Sequence, residues 1–123
     1  VIRYFMTIPE AAQLVIQHEL GQLDGISFMP INEWNEPNCW LTGITLGGRV
    51  RPIDIIEALE ADNIESRPIW KPMHLQPYYQ GRDFIGRGVS DAIFENGVCL
   101  PSDTKMTDED LERVCRIIRG LWG

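Results

Sequence analysis

The sequence lacks any long run of apolar residues, and a helix that spans a membrane needs about 20 of them. We therefore expect no membrane span. The first residues, Val1–Met6, include an arginine and show neither a sustained apolar core nor a small-residue cleavage site, so we expect no signal peptide. Internal repeats and low-complexity tracts are also missing, which indicates one domain in 123 residues. These absences predict a cytoplasmic protein.

Metal-ligating residues are few. The chain has three cysteines, none in a Cys-x-x-Cys pair, and two histidines without ligand spacing. This pattern argues against a metal site. Because each cysteine lies among apolar residues, we interpret them as small buried side chains in a reducing compartment. The three are Cys39, Cys99 and Cys115.

An excess of positive charge is missing as well. The chain has 11 Lys and Arg against 18 Asp and Glu, a formal net charge of −7. A balance of this sign argues against nucleic acid or an anionic membrane as the main partner. It leaves room for a local basic site that binds a phosphate.

The apolar residues that are present fall into alternating helical and strand-like patterns. Thr7 and Glu10 have the spacing of a capping box, and so predict the start of the first helix. Asn63 is a plausible C-cap for the second helix, and Thr107 an N-cap for the last. Trp40, expected to share one strand face with Thr42, Ile44 and Leu46, marks the best strand. The predicted helices are 7–23, one from Pro52, 89–95 and one from Thr107; the predicted strands are 26–30, 39–46, 64–69 and 98–100. This order predicts an α+β fold in which helices cover one face of a small, mainly antiparallel sheet.

The stretch 67–79 concentrates chemistry-bearing side chains on a chain that prolines hold extended. Arg67 and Lys71 suit a phosphate or carboxylate, Trp70 offers a face for a sugar or base, and His74 follows. Spacing alone does not separate a ligand-binding segment from a surface loop that its aromatic residues pack.

Three stretches resemble one family. Ser66-Arg-Pro-Ile-Trp-Lys-Pro-Met-His-Leu-Gln-Pro-Tyr-Tyr79 looks like a hallmark of DegT/StrS-type sugar aminotransferases. So does Leu100-Pro-Ser-Asp-Thr, which continues through Met106-Thr-Asp-Glu-Asp-Leu, and Arg51-Pro-Ile-Asp-Ile-Ile-Glu fits as well. The resemblance covers 23–123, which we expect to be the C-terminal small domain of such an enzyme.

The resemblance implies a fold-type I enzyme, usually a homodimer, that uses pyridoxal phosphate (PLP) to aminate a nucleotide-linked keto sugar in polysaccharide or glycan biosynthesis. It also implies that Arg67, Trp70, Lys71 and His74 lie at the edge of the sugar-nucleotide pocket. Residues 2–17 resemble a different family, the capsular-polysaccharide-type nucleotide-sugar 4,6-dehydratases. We therefore expect 1–22 to be a dehydratase-like segment that forms the first helix.

PLP chemistry needs a lysine for the internal aldimine. Lys71 and Lys105 are the only lysines in this sequence, and neither matches the family's Schiff-base position. We therefore expect no catalytic residue, no cofactor bound by this chain alone and no transamination by it. Three roles stay open: a non-catalytic remnant or recombination product, the small subunit of a split aminotransferase that docks on a PLP-binding large domain, and a binding or regulatory module for a nucleotide sugar. We expect the apolar surface that normally meets the large domain to be exposed in this chain, and we therefore expect self-association, with swapping of the first helix as one route.

Overall fold

The computed structural model describes residues 7–103 and 105–123, and the side chains from residue 11 onward within them. Four helices and four strands alternate along this part of the chain. The helices are α1 (Thr7–Leu20), α2 (Pro52–Ala61), α3 (Val89–Asn96) and α4 (Asp108–Gly120). The strands are β1 (Ile26–Phe28), β2 (Thr42–Leu46), β3 (Arg67–Pro68) and β4 (Gly97–Leu100). Two short 3-10 turns, Met73–Leu75 and Pro77–Tyr79, lie between β3 and α3.

The strands form one antiparallel sheet in the order β1-β2-β4-β3. In β2 every second residue is buried, and Ile44 lies opposite Val98 of β4. The predicted α+β fold with a small antiparallel sheet is confirmed. No helix in the described ranges is long and apolar enough to cross a bilayer.

The core lies between one face of this sheet and the helices α1, α2 and α4. Its fully buried side chains include Ile16 of α1, Ile55 of α2 and Ile118 of α4. Cys99 and Cys115 are buried as predicted, whereas Cys39 is only half-buried. Helical spacing of the apolar residues explains this packing, because residues three or four apart fall on one face.

Part of α3 lies on the other face of the sheet. Gly43 pairs with Cys99 and Thr45 with Gly97, so these four residues point away from the core. A Cβ added at Gly97 would meet the Ile93 carbonyl of α3 and would lie 2.5 Å from Ile69 Cγ1. Both faces of β4 are therefore covered, and all four of its residues are buried.

Trp40 does not share the buried face of β2, so that prediction is wrong. The strand begins only at Thr42, and the Trp40 side chain is 67% exposed. The reason lies one residue earlier, where Cys39 has a φ of 51° and breaks the extended backbone. The Asn38 side chain then accepts a hydrogen bond from the Trp40 N–H at 3.1 Å. The alternation of side chains between the two strand faces cannot continue through such a turn.

The start of α4 lies at the predicted residue, and the end of α2 lies within one residue of the predicted end. Thr107 is the N-cap of α4 as predicted: its Oγ1 accepts from the Asp110 N–H at 3.2 Å, and Asp110 accepts from the Thr107 N–H at 2.9 Å. Asp62, not Asn63, is the C-cap of α2. Asn63 follows with a φ of 58°, and the Ile64 N–H bonds back to Leu59 at 2.9 Å, which is a Schellman motif.

Other boundaries are shorter than predicted. α1 ends at Leu20 and β1 at Phe28. The strand predicted over 64–69 is reduced to Arg67–Pro68, because Ile64 belongs to the helix end and Pro68 has no N–H for the ladder. The predictions made on residues 1–6, and on the side chains of the capping box at Thr7 and Glu10, lie outside the described residues.

Candidate functional site

A groove of about 690 Å³ runs along the edge of the sheet at β3, between the turn before β2 and the start of α4. Its volume is in the range of small-molecule sites, about 300–1,000 Å³. Two exposed indoles, Trp40 and Trp70, belong to its lining. Leu100 and Val114 contribute apolar surface that is continuous with the core.

Two of the four predicted pocket-edge residues line this groove, Arg67 and Trp70. Lys71 and His74 do not belong to its lining. The backbone accounts for the difference, since the chain leaves the sheet after Pro68 and turns into a 3-10 helix at Met73. The four residues are close together in the sequence, but the structure places only the first two at the groove.

Arg67 lies on the outermost strand and is held by a near neighbour. Its Nε and Nη2 donate to Glu65 Oε1 at 2.8 and 2.5 Å, and the side chain is 74% exposed. An ion pair this exposed contributes little to stability, about 0–1 kcal/mol. The Arg67 guanidinium can therefore exchange Glu65 for an anionic ligand at small cost.

His74 packs within the chain instead of facing the groove. Its imidazole stacks on Phe84, with ring centroids 3.6 Å apart and planes at 16°. His74 Nε2 also lies 2.6 Å from Asp91 Oδ1 of α3, and the imidazole side chain is 18% exposed. These contacts join the proline-rich segment to α3. Neither Phe84 nor Asp91 has a sequence signal that would have singled it out.

The sequence analysis also missed the groove residues that come from distant parts of the chain. Trp40 was assigned to a strand face, and Arg113 of α4 was not singled out as a site residue. Arg113 Nη2 donates to the Asp62 carbonyl at 2.6 Å and lies 3.2 Å from Asp62 Oδ1, so it joins α4 to the end of α2. The Ser66 Oγ is buried and has no hydrogen-bond partner among the described residues.

The pKa shifts of two described groove residues, Cys99 and Asp110, do not favour a nucleophile. Burial raises the pKa of the Cys99 thiol, so the thiolate is scarce at neutral pH. The pKa of Asp110 is lowered, first by the hydrogen bond from the Thr107 backbone and then by that from its hydroxyl. Asp110 is therefore an ionised capping residue at neutral pH. In the described ranges, no cluster of His, Cys, Asp and Glu could hold a metal ion.

The described residues do not fit PLP. Lys71 and Lys105 are both exposed and neither lines the groove. An internal aldimine needs a lysine inside a pocket that also holds the cofactor's phosphate and ring nitrogen. The cations that line the groove are the guanidinium groups of Arg67 and Arg113, and a guanidinium group cannot form an aldimine with PLP.

The fold and the motif segment are those of the DegT/DnrJ/EryC1/StrS aminotransferase family, whose model matches residues 5–119, and the chain belongs to this family. EpsN of Bacillus subtilis, named for pyridoxal phosphate-dependent aminotransferase activity, is 38% identical over 110 residues, which are 86% of this chain and 28% of EpsN. The GDP-perosamine synthase of Caulobacter vibrioides is 31% identical over 77 residues, 61% of this chain and 21% of that protein.

Solved structures share the fold. Spr1654 of Streptococcus pneumoniae, named as a sugar aminotransferase, superposes in its PMP form with a TM-score of 0.82 at 21% identity, covering 96% of this chain and 31% of that one. PseC of Helicobacter pylori, an aminotransferase of pseudoaminic acid biosynthesis, superposes with a TM-score of 0.81 at 15% identity, covering 95% and 32%. The chain thus spans about 30% of the length of these relatives. The family match includes α1, and the dehydratase resemblance of residues 1–22 stays a prediction.

Proposed function

We propose that this chain is the C-terminal small domain of a PLP-dependent aminotransferase that acts on a nucleotide-linked keto sugar, and that it does not transaminate by itself. The observation that carries the proposal is the pairing of a family match over 5–119 with lysines that lie only on the exposed surface. The names of the relatives, which include GDP-perosamine synthases, support a sugar-nucleotide substrate in cytoplasmic polysaccharide or glycan biosynthesis.

Within this role, the groove supplies the outer edge of the substrate pocket. Arg67 presents a guanidinium that suits a phosphate, and Trp70 presents an indole face that suits a sugar ring or base. Lys71 adjoins them on the same segment, and His74 fixes the direction of that segment through Asp91. An open groove buries only part of a ligand, so the domain binds a nucleotide sugar weakly when it is alone.

The test is incubation of the chain with PLP, followed by borohydride reduction and peptide mapping. We expect no saturable labelling of Lys71 or Lys105 and no transaminase turnover. The matched control is the double variant Lys71→Arg/Lys105→Arg, which retains only the terminal amine and should behave like the parent. Site-specific labelling of either lysine together with turnover would overturn the proposal.

A split enzyme is the second candidate, and the retained groove with Arg67 and Trp70 favours it over a remnant without any partner. Co-expression of this chain with the part of EpsN that it does not match tests this role. Recovery of aminotransferase activity, lost again in Trp70→Ala, supports a small subunit. Activity that stays absent with both parts soluble supports the non-catalytic role.

The proposal for α1 is a dehydratase-like origin of residues 1–22. It is supported by the resemblance of residues 2–17. It is also supported by the fact that the fold requires few particular residues in this helix. The core needs an apolar stripe from α1, which Ala12, Ile16 and Leu20 provide. Replacing α1 with the equivalent EpsN helix tests this requirement. An equal melting temperature would show that the core needs the apolar stripe and not the particular sequence of α1.

A further inference from the structure

Ile69 follows strand β3 directly and lies across the face of the sheet that points away from the core. Pro68 pairs with Val98, so the antiparallel register continued by one residue places Ile69 beside Gly97. A Cβ at Gly97 would stand 2.5 Å from Ile69 Cγ1, and a Cβ at Gly43 of β2 would stand 3.7 Å from Ile69 Cδ1. The Ile69 side chain therefore extends from β3 over β4 to β2, through the space that two glycines leave free.

The chain is held a second time at His74, whose Nε2 lies 2.6 Å from Asp91 Oδ1 of α3. We refer to Ile69 and His74 as the two anchors of the proline-rich segment. Between them, the Gln76 side chain donates to the Lys71 carbonyl at 3.4 Å. All of these contacts lie inside the domain, so they require no part of its surface to be free.

Trp70 and Lys71 lie between the anchors, and both side chains point largely into solvent. The Trp70 side chain is 68% exposed, and Lys71 is exposed as well. Side chains with so little packing cannot fix the path of their own backbone. That path is therefore determined by the contacts of Ile69 before them and of His74 after them.

We propose that Ile69 is a positioning residue for the pocket edge, because its contact across Gly43 and Gly97 fixes the direction in which Trp70 and Lys71 are presented. The inference rests on the proposed function, which assigns Trp70 and Lys71 to that edge. A backbone that is ordered before a ligand arrives has less conformational entropy to lose on binding. Ile69 thus acts on the substrate through its neighbours and does not touch the substrate itself.

The order of the backbone at residues 70 and 71 tests the proposal. In the parent chain labelled with nitrogen-15, we expect amide order parameters of about 0.85 at both residues, the value of a rigid backbone. Ile69→Ala should lower both below about 0.6. Ile69→Val, which lacks only Cδ1, should give intermediate values, and it decides the matter if Ile69→Ala does not fold. Residues 97–100 should keep the parent's order in each variant.

Ile117→Ala is the matched control, because Ile117 is also a partly buried isoleucine but packs against the core from α4. It should lower the melting temperature and leave the order parameters of residues 70 and 71 unchanged. A merely structural role of Ile69 predicts the same behaviour for both isoleucines. The proposal is overturned if residues 70 and 71 are already disordered in the parent, if they stay ordered without the Ile69 side chain, or if Ile117→Ala disorders them equally.

Titration with GDP-mannose, followed by the shifts of the same amides, separates this proposal from the proposed function. We expect Ile69→Ala to bind at least about fivefold more weakly than the parent, since the backbone must then be ordered on binding. Disorder at residues 70 and 71 combined with unchanged affinity would overturn the positioning role. A parent that binds no GDP-mannose would count against the proposed substrate class, while the order parameters would still decide whether Ile69 fixes Trp70 and Lys71.

Discussion

His74 and Asp91 lie 2.6 Å apart, Nε2 to Oδ1, and connect the proline-rich segment to the first turn of α3. The other contact of the imidazole is with the ring of Phe84, on the loop between them. The His74 side chain thus contacts both the middle and the end of the stretch 75–91. The role of His74 in this domain is to position the segment.

Removal of this contact should loosen the loop. We expect Asp91→Asn to raise amide hydrogen exchange over residues 80–91 roughly two- to fivefold, which corresponds to about 0.5–1 kcal/mol for a partly exposed pair. Mass spectrometry of peptides from this loop and from α2 measures the effect. Asp83→Asn, a neutralised carboxylate on the same loop, is the control and should change nothing. Equal exchange in both variants would mean that the pair does not hold the loop.

Gly97 should not tolerate a side chain. Gly97→Ala would place Cβ 2.5 Å from Ile69 Cγ1 and against the Ile93 carbonyl, and we expect a loss of about 1–3 kcal/mol in the free energy of unfolding. Urea denaturation measures it. Gly120→Ala is the matched control, because its Cβ meets nothing within 4 Å, and helix propensity predicts a gain of up to about 1 kcal/mol. Two variants with effects of the same sign would contradict the geometry.

Arg113 stabilises the contact between α4 and α2. Arg113→Ala removes the hydrogen bond from Nη2 to the Asp62 carbonyl at 2.6 Å, at a helix end where a cation is favourable. Because both side chains are about half exposed, we expect a loss of only about 1 kcal/mol, or about 4 °C in melting temperature. Arg116→Ala, an exposed arginine on the same helix, should have little effect. An equal loss of stability in Arg116→Ala would show that the effect of Arg113→Ala comes from the charge of the helix and not from the contact with Asp62.

The capping box of α4 should make stability depend on pH. The hydrogen bonds from Thr107 lower the pKa of Asp110 below its ordinary value of 3.8. The stability that this carboxylate contributes is therefore complete above the unfolded pKa and is lost as the pH falls through the lower, folded pKa. We expect Asp110→Asn to melt below the parent at pH 6, with the difference shrinking below pH 4.

The control for this pH dependence is Glu112→Gln, which removes an exposed carboxylate two residues further along α4. Its melting temperature should follow that of the parent across the pH range. A difference between Asp110→Asn and the parent that persists unchanged at pH 2.5 would contradict the assignment.

Local signals predicted the start of α4 and, to within one residue, the end of α2, because these signals depend on a few adjacent residues. Thr107 with Asp110 and Asn63 after α2 are cases in which a side chain or a left-handed residue decides the boundary by itself. The same reasoning failed at Trp40, where alternation continues in the sequence and the backbone turns at Cys39. Strand β3 was overestimated for a related reason: the ladder requires a donor, and Pro68 has none.

The candidate site was predictable only in part. Arg67 and Trp70 were found because prolines and aromatic residues mark the segment locally. Trp40 and Arg113 lie in the same groove and could not be found, since they are far from the segment in sequence and no period connects them. The contact of His74 with Asp91 could not be predicted for the same reason. The two residues are brought together by a loop, and the path of this loop depends on how α3 packs.

The sequence by itself determined the family, the order of the elements, the N-cap of α4 and the excess of negative charge. Each of these depends on composition or on neighbours a few positions away. Only the tertiary structure decided which side chains share the groove and that His74 turns from it toward Asp91. Such relationships depend on sheet pairing between residues far apart in the chain, as when Arg67 is placed opposite Cys99, and local patterns carry no information about them.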